Sequence, residues 1–405
     1  SLTLSGIAVT VGQLISATDL AAGLLVFTPN GNEHGNSYAS FTFQVRDNGG
    51  TANGGADLDP TPNRLTVDVR PLIGTDGDDR LVGGPHDNLL DGQGGNDTLD
   101  GGAGADTLNG GDGSDFYYID HIGDQVIETN ASAAGGTDLV HTTLATYTLG
   151  NHVENGRILA AGAANLTGNT LNNLLYAGIG NNLLDGGAGS DTVTWAYAVS
   201  GASGVNASLA SGTASGSGSD TLIGIEHLIG SPNADRLTGD GNANNLSGGL
   251  GNDTLDGGAG ADTLTGGDGN DHYYIDHIGD QVIETNASAA GGTDLVHTTL
   301  ATHTLGSHVE NGRILASGAA NLTGNALNNL LYAGTGNNVL DGGAGSDTVT
   351  WAYAVGGASG VTASLASGNA SGSGSDTLIG IEHLIGSPNA DRLTGDGNAN
   401  NLSGG

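Results

Sequence analysis

Aspartates recur at nine-residue intervals in this chain, each six places into a block of the form G-G-x-G-x-D-x-(apolar)-x. The blocks open at Gly74, Gly83, Gly92, Gly101 and Gly110, and again at Gly230, Gly239, Gly248, Gly257 and Gly266. Carboxylates at this spacing suit the binding of a hard cation. If two blocks make one coil, the turn carrying Asp79 stacks on that of Asp97, and Asp97 on Asp115; in the second series Asp235 stacks on Asp253, and Asp253 on Asp271. Each such pair is expected to bracket one ion. Calcium takes roughly six to eight oxygen ligands, and glycine-rich turns can aim backbone carbonyls inward to complete the carboxylate set.

The series is not uniform. Position six is asparagine at Asn88, Asn173, Asn182, Asn244, Asn329, Asn338 and Asn400, which offers an amide oxygen but no charge. Those turns are expected to bind weakly or to be held by side-chain hydrogen bonds alone. Asp106, Asp191, Asp262 and Asp347 therefore each face an asparagine one coil earlier and would form half-charged sites, while Asp391 begins a third series. Asp220 and Asp376 stand beside breaks in the register and are weaker candidates.

Other chemistries find no support. His121 lies near Asp120 and Asp124, and His152 near Glu154, but neither forms the H-E-x-x-H helix of a zinc site, and both read as turn or surface histidines. All eight basic residues are arginine, and cysteine is absent, which excludes a Walker phosphate loop, a Schiff-base lysine and thiolate catalysis. The serines sit in strings such as Ser215-Gly216-Ser217-Gly218-Ser219, with no sign of a strained nucleophile. No enzyme is expected in these residues.

The elements that must position the aspartates are very short strands between turns, wound as a solenoid. With 76 glycines in 405 residues and 4% aromatic residues, the core must be thin and repetitive. A net charge of −35 argues against nucleic acid as a partner and would ordinarily favour disorder. A multivalent cation removes that obstacle. No apolar run is long enough for membrane insertion.

Gly230 repeats Gly74 after 156 residues, so residues 74–229 and 230–385 are two copies of one unit and 386–405 begin a third. Residues 95–229 and 251–385 differ at about a dozen positions. Within a unit, longer rungs such as Phe116–Asp120, Gln125–Thr129 and Asp138–Thr143 are read as strands of the same solenoid. The stretch from Trp195 to Ala214 is read as one or two strands packed on the side or face of the roll, with Trp195 and Trp351 as core aromatics. Residues 1–72 alternate like strands at Phe41–Val45 and Leu65–Val69, around a turn-rich stretch from Asp47 to Asn63, and read as part of a β-sandwich. The chain begins within a strand and ends within a nonapeptide, as a fragment of something longer would.

Gly101-Gly102-Ala103-Gly104-Ala105-Asp106-Thr107-Leu108 and its neighbours resemble the RTX, or haemolysin-type, calcium-binding repeat. The resemblance implies an all-β parallel β-roll holding several calcium ions between turns. It also implies that the Asp97/Asp115 site uses carbonyls near Gln93, Gly95, Gly110 and Asp112. Tyr38–Phe43 and Asp57–Asn63 resemble the cadherin-like domains of giant bacterial adhesins, which makes residues 1–72 a partial cadherin-like (immunoglobulin-type) sandwich. The implied protein is secreted or displayed on a bacterial surface, exported by type I secretion and folded outside the cell by calcium, as a structural or adhesive segment. The alternative is a calcium-binding module on a secreted polysaccharide epimerase, lipase or protease. Expected partners are calcium, neighbouring units or other chains in a fibre, and a cell-surface or glycan ligand. A lesser alternative is an ice- or glycan-binding file of exposed threonines at Thr98, Thr107, Thr254 and Thr263.

Overall fold

The computed structural model describes residues 1–405 apart from 29–34, 48–56, 60, 70, 131–133, 199–202, 287, 289 and 355–359. The chain divides into two compact units, residues 1–144 with 150–152, and residues 145–149 with 153–405.

In the first unit, successive nonapeptides alternate between two parallel ladders. Leu72–Ile73, Leu89–Asp91, Thr107–Asn109 and Gln125–Ile127 form one, while Arg80–Val82, Thr98–Asp100, Phe116–Ile119 and Leu139–Thr142 form the other. Leu90 registers with Leu108 and Leu99 with Tyr117, so one coil is two nonapeptides, as the spacing requires. Position eight faces inward: Leu90, Leu99, Leu108 and Tyr117 are all fully buried. Each such leucine contributes about 1.5–3 kcal/mol of apolar burial, enough to hold a three-residue strand when repeated along a ladder. The longer rungs join the same ladder, Phe116 registering with Leu139.

Earlier in this unit Leu2–Leu4 pairs antiparallel with Ile7–Ala8 and Leu25–Phe27, and Gly35–Phe43 pairs antiparallel with Asn63–Val69. The turn-rich stretch from Asp47 lies largely outside the described residues.

The second unit repeats the construction. One parallel ladder runs from Asn155–Ile158 through Leu174–Tyr176, Thr192–Thr194, His227–Ile229, Asn245–Leu250 and Thr263–Asp268 to Gln281–Ile283. The ladder facing it carries Arg236–Thr238, Thr254–Asp256, His272–Ile275 and Leu295–Thr298. Thr302–Thr304 does not continue the first ladder but opens a third, pairing with Asn321–Thr323.

Two expectations need correction. The stretch after Trp195 does not pack on the side of the roll. Asn206–Ser208 and Thr213–Ser215 are antiparallel strands inside the ladder, set between Ser219–Ile223 and Arg236–Thr238. An in-sheet meander keeps the backbone groups of the extra strands hydrogen-bonded, which a strand lying on a face would not. Residues 199–202 of that stretch lie outside the described residues.

The threonine file does not form either. Thr98 and Thr107 belong to different ladders, since nine residues are half a coil; the register neighbours of Thr98 are Arg80 and Phe116, and Thr107 is buried. Thr254 and Thr263 are separated in the same way.

Candidate metal centre

The position-six side chains form ladders of their own. The backbone N–H of Asp79 donates to Oδ1 of Asp97 at 2.8 Å, and that of Asp97 to Oδ1 of Asp115 at 2.7 Å. In the second unit Asp235 donates to Asp253 and Asp253 to Asp271, both at 2.7 Å. The half-charged rungs stack likewise: Asn88 on Asp106, Asn173 on Asp191, Asn244 on Asp262 and Asn329 on Asp347. The expected pairs are therefore brought together one coil apart.

What the second carboxylate oxygen does divides the turns into two kinds. At Asp97, Asp106, Asp115, Asp191, Asp253, Asp262, Asp271 and Asp347, Oδ2 is buried and accepts no hydrogen bond. At Asp79, Asp235 and Asp391, Oδ2 accepts the N–H of the residue four places earlier, Thr75, Ser231 or Ser387, and hydroxyls of those residues also bind the carboxylate. The asparagine turns close in the same fashion, with Gly84, Asn169, Asp240, Asn325 and Asp396 donating to the Oδ1 of Asn88, Asn173, Asn244, Asn329 and Asn400.

Backbone conformation explains the division. In every turn with an unpartnered Oδ2, positions two and four both have positive φ: Gln93 and Gly95, Gly102 and Gly104, Gly111 and Gly113, Gly187 and Gly189, Gly249 and Gly251, Gly258 and Gly260, Gly267 and Gly269, Gly343 and Gly345. Position four reaches +133° at Gly104 and +146° at Gly260, a region that side chains with a Cβ rarely enter. Where position four is His86, Leu171 or Asn233 the turn is closed. The open turn needs glycine at position four.

Opening a turn leaves a carboxylate oxygen buried without a donor, a cost of about 1–3 kcal/mol or more for a charged group. Burial, opposed in part by the backbone N–H one coil earlier, pushes Asp106, Asp115, Asp191, Asp262 and Asp271 up to about 6 and Asp253 up to about 8. Asp97 and Asp347 shift the same way for the same reason. An all-oxygen set that is acidic, buried and short of donors suits a hard cation.

Of the four carbonyl candidates, Gln93 accepts from the N–H of Asp112 and Asp112 accepts from that of Gly95. The carbonyl of Gly110 lies 2.7 Å from where a Cβ on Gly92 would stand, beside Asp97 Oδ2.

Several acidic residues in these ladders were not singled out from the sequence. Asp124 Oδ1 accepts from Asp106, Glu226 Oε2 from Asp191, and Asp138 Oδ1 from Asp115. Asp280, Asp294, Glu310 and Glu382 extend the other ladders. Asp124 and Asp280 stand one regular coil of 18 residues after Asp106 and Asp262, where the period continued would have found them; the others follow after 16, 23 or 35 residues, which the period does not announce. Buried Asp115, Glu128 and Asp138 cluster with oxygens within 4.8 Å of one another, as do Asp271, Glu284 and Asp294.

The other polar candidates have structural roles. Asp220 uses both oxygens, Oδ1 for the N–H of Asn182 and Oδ2 for the indole Nε1–H of buried Trp195 at 2.9 Å; Asp376 and Trp351 repeat this. His121 Nδ1 accepts from the N–H of Gly123 inside a turn, and His152 holds a positive φ beside the carbonyl of Glu128.

The model of the RTX calcium-binding nonapeptide repeat, taken as four copies, matches residues 72–99, 83–117, 161–194, 215–255, 238–273, 317–350 and 376–405. These stretches cover about half of the chain and contain the open turns described above. No curated protein matches the chain. The matched repeat is a calcium-binding, non-catalytic one. With its parallel β-solenoid and two-nonapeptide coil, the chain belongs to the RTX calcium-binding repeat family.

Proposed function

We propose that the open turns are the calcium sites, with Asp97, Asp106, Asp115, Asp191, Asp253, Asp262, Asp271 and Asp347 supplying carboxylate oxygens. Neighbouring carbonyls, including those of Gln93, Gly95, Gly110 and Asp112, complete the shells. The buried, unpartnered Oδ2 carries this reading. A cation is the natural complement to an oxygen that the fold desolvates and provides with no donor. Asp79, Asp235 and Asp391 then act mainly as the closed first turns of each series, their carboxylates held by Thr75, Ser231 and Ser387.

On this reading calcium binding and folding are one process. Without the ion, a chain of net charge −35 with a lean core pays desolvation and repulsion at every open turn. With it, binding free energy becomes folding free energy. This coupling fits a segment kept extended where calcium is scarce and stiffened outside the cell, in a secreted or surface-displayed bacterial protein. The two near-identical units favour a structural or adhesive array over a module attached to an enzyme. Residues 1–72 are read as part of a cadherin-like domain preceding the array, a reading supported by the antiparallel pairing of Gly35–Phe43 with Asn63–Val69.

The test is far-ultraviolet circular dichroism of the full chain as calcium is raised from chelated to millimolar, with magnesium as control. A cooperative gain of β signal with calcium alone is expected. A spectrum already complete in chelator and unchanged by calcium overturns the reading.

A further inference from the structure

At the end of each series of open turns, one rung departs from the pattern. Beside Gly92 the unpartnered oxygen of Asp97 meets the carbonyl of Gly110, one coil on; beside Gly230, Asp235 Oδ2 meets the carbonyl of Gly248. The rung at Gly110 carries Tyr117 at position eight, where the preceding rungs carry leucine. The Tyr117 hydroxyl and Asp115 Oδ2 lie beside Gly110, and that hydroxyl donates to Glu128 Oε1. The second series ends identically, with Tyr273, Asp271 and Glu284 around Gly266.

Glu128 and Glu284 belong to no nonapeptide. Each directly follows the last strand of its ladder, Gln125–Ile127 or Gln281–Ile283, and reaches inward to the buried hydroxyl. The third carboxylates, Asp138 and Asp294, come one long coil later and accept the N–H of Asp115 and Asp271. All six acids are more than nine-tenths buried, and within each triad their oxygens lie within 4.8 Å. Into this space point Asp115 Oδ2 and Asp271 Oδ2, buried and without a donor. Three buried carboxylates repel one another strongly unless a cation joins them.

We propose that Asp115–Glu128–Asp138 and Asp271–Glu284–Asp294 are terminal calcium sites, in which the last open turn of each series is completed by two carboxylates from outside the nonapeptides. The proposal rests on the reading that the turn aspartates take calcium. Each terminal site closes a series of open turns with carboxylates from beyond its last nonapeptide. Tyr117 and Tyr273 are positioning residues that hold the glutamate by its Oε1.

The experiment counts calcium bound by the full chain in equilibrium dialysis, comparing it with the Glu128→Gln/Glu284→Gln variant, which preserves shape and leaves every nonapeptide intact. A loss of two ions per chain is expected. An unchanged count in a folded variant overturns the terminal sites while leaving the turn sites standing, and means that the triads share protons instead of a cation. A wild-type chain that binds no calcium overturns the turn reading itself. Should the variant not fold, Tyr117→Phe/Tyr273→Phe keeps every carboxylate and is examined with terbium in place of calcium. Loss of most of the tyrosine-excited emission is expected, and unchanged emission overturns the proposal.

Discussion

Asp97 donates its backbone N–H to Oδ1 of Asp115 at 2.7 Å, while Oδ2 of Asp115 is buried with no donor. One oxygen of the same carboxylate thus ties two coils together and the other is left for a cation. Structural and metal-binding roles are divided between two atoms of one side chain, which is why a period of nine residues can encode both.

Substituting Asp253→Asn keeps the shape and the coil-to-coil hydrogen bond but removes the charge. The calcium concentration at the folding midpoint is expected to rise by about tenfold, because ligand charge count sets affinity in such sites. Asp391→Asn, at a carboxylate already held by Ser387, is expected to move it little. Calcium titrations of the two variants, followed by circular dichroism, check the contrast; equal effects would remove the distinction between open and closed turns.

Gly260→Ala places a Cβ at φ +146° and against the carbonyl of Asn242. The conformation alone costs on the order of 1–2 kcal/mol, so the variant is expected to need more calcium to fold and to bind at least one ion fewer. Gly241→Ala, with open space around its Cβ, is the control and should behave as wild type.

Without calcium, acid should stabilise the fold. Burial raises the folded-state values of Asp106, Asp115 and Asp271 to about 6 and of Asp253 to about 8, above the ~3.9 of an unfolded aspartate. The folded chain therefore binds more protons than the unfolded one, and this contribution, fully present below about pH 4, is lost as pH rises through 6 to 8. In chelator, β signal is expected to be greater at pH 5 than at pH 8. With calcium present, protons compete with the ion, so the calcium midpoint should rise as pH falls. A metal-free chain that loses structure on acidification would contradict the buried-carboxylate account.

Trp195→Phe removes the indole donor to Asp220 Oδ2 and opens space in a fully buried position. A loss of about 1–3 kcal/mol is expected, because Oδ2 keeps only the long 3.5 Å hydrogen bond from the Ser217 hydroxyl. Because both oxygens of Asp220 serve hydrogen bonds, the calcium count should not change. Denaturant unfolding in saturating calcium, together with dialysis, separates the two effects.

Much of this architecture was legible in the nine-residue period. Glycine, aspartate and leucine at fixed places give the turn, the carboxylate ladder and the inward-facing core, because each responds to a local rule of backbone or burial. The period also shows why Thr98 and Thr107 form no common file: they stand half a coil apart. The irregular coil beyond the last nonapeptide of each series was not legible. Asp138 and Glu128 reach Asp115 through a 23-residue coil and from the end of the opposite ladder, and no spacing announces them.

The sequence by itself determined the repeating coil, its acid ladder and the family, since short-range sterics and hydrophobic period suffice for a solenoid whose coils contact mainly their neighbours. Only the tertiary structure decided which aspartates keep an oxygen free. That choice depends on the φ of positions two and four and on whether a Thr, Ser or backbone N–H reaches the carboxylate. Those contacts are local to one turn, but the burial that leaves the free oxygen without a donor exists only once one coil is stacked on the next.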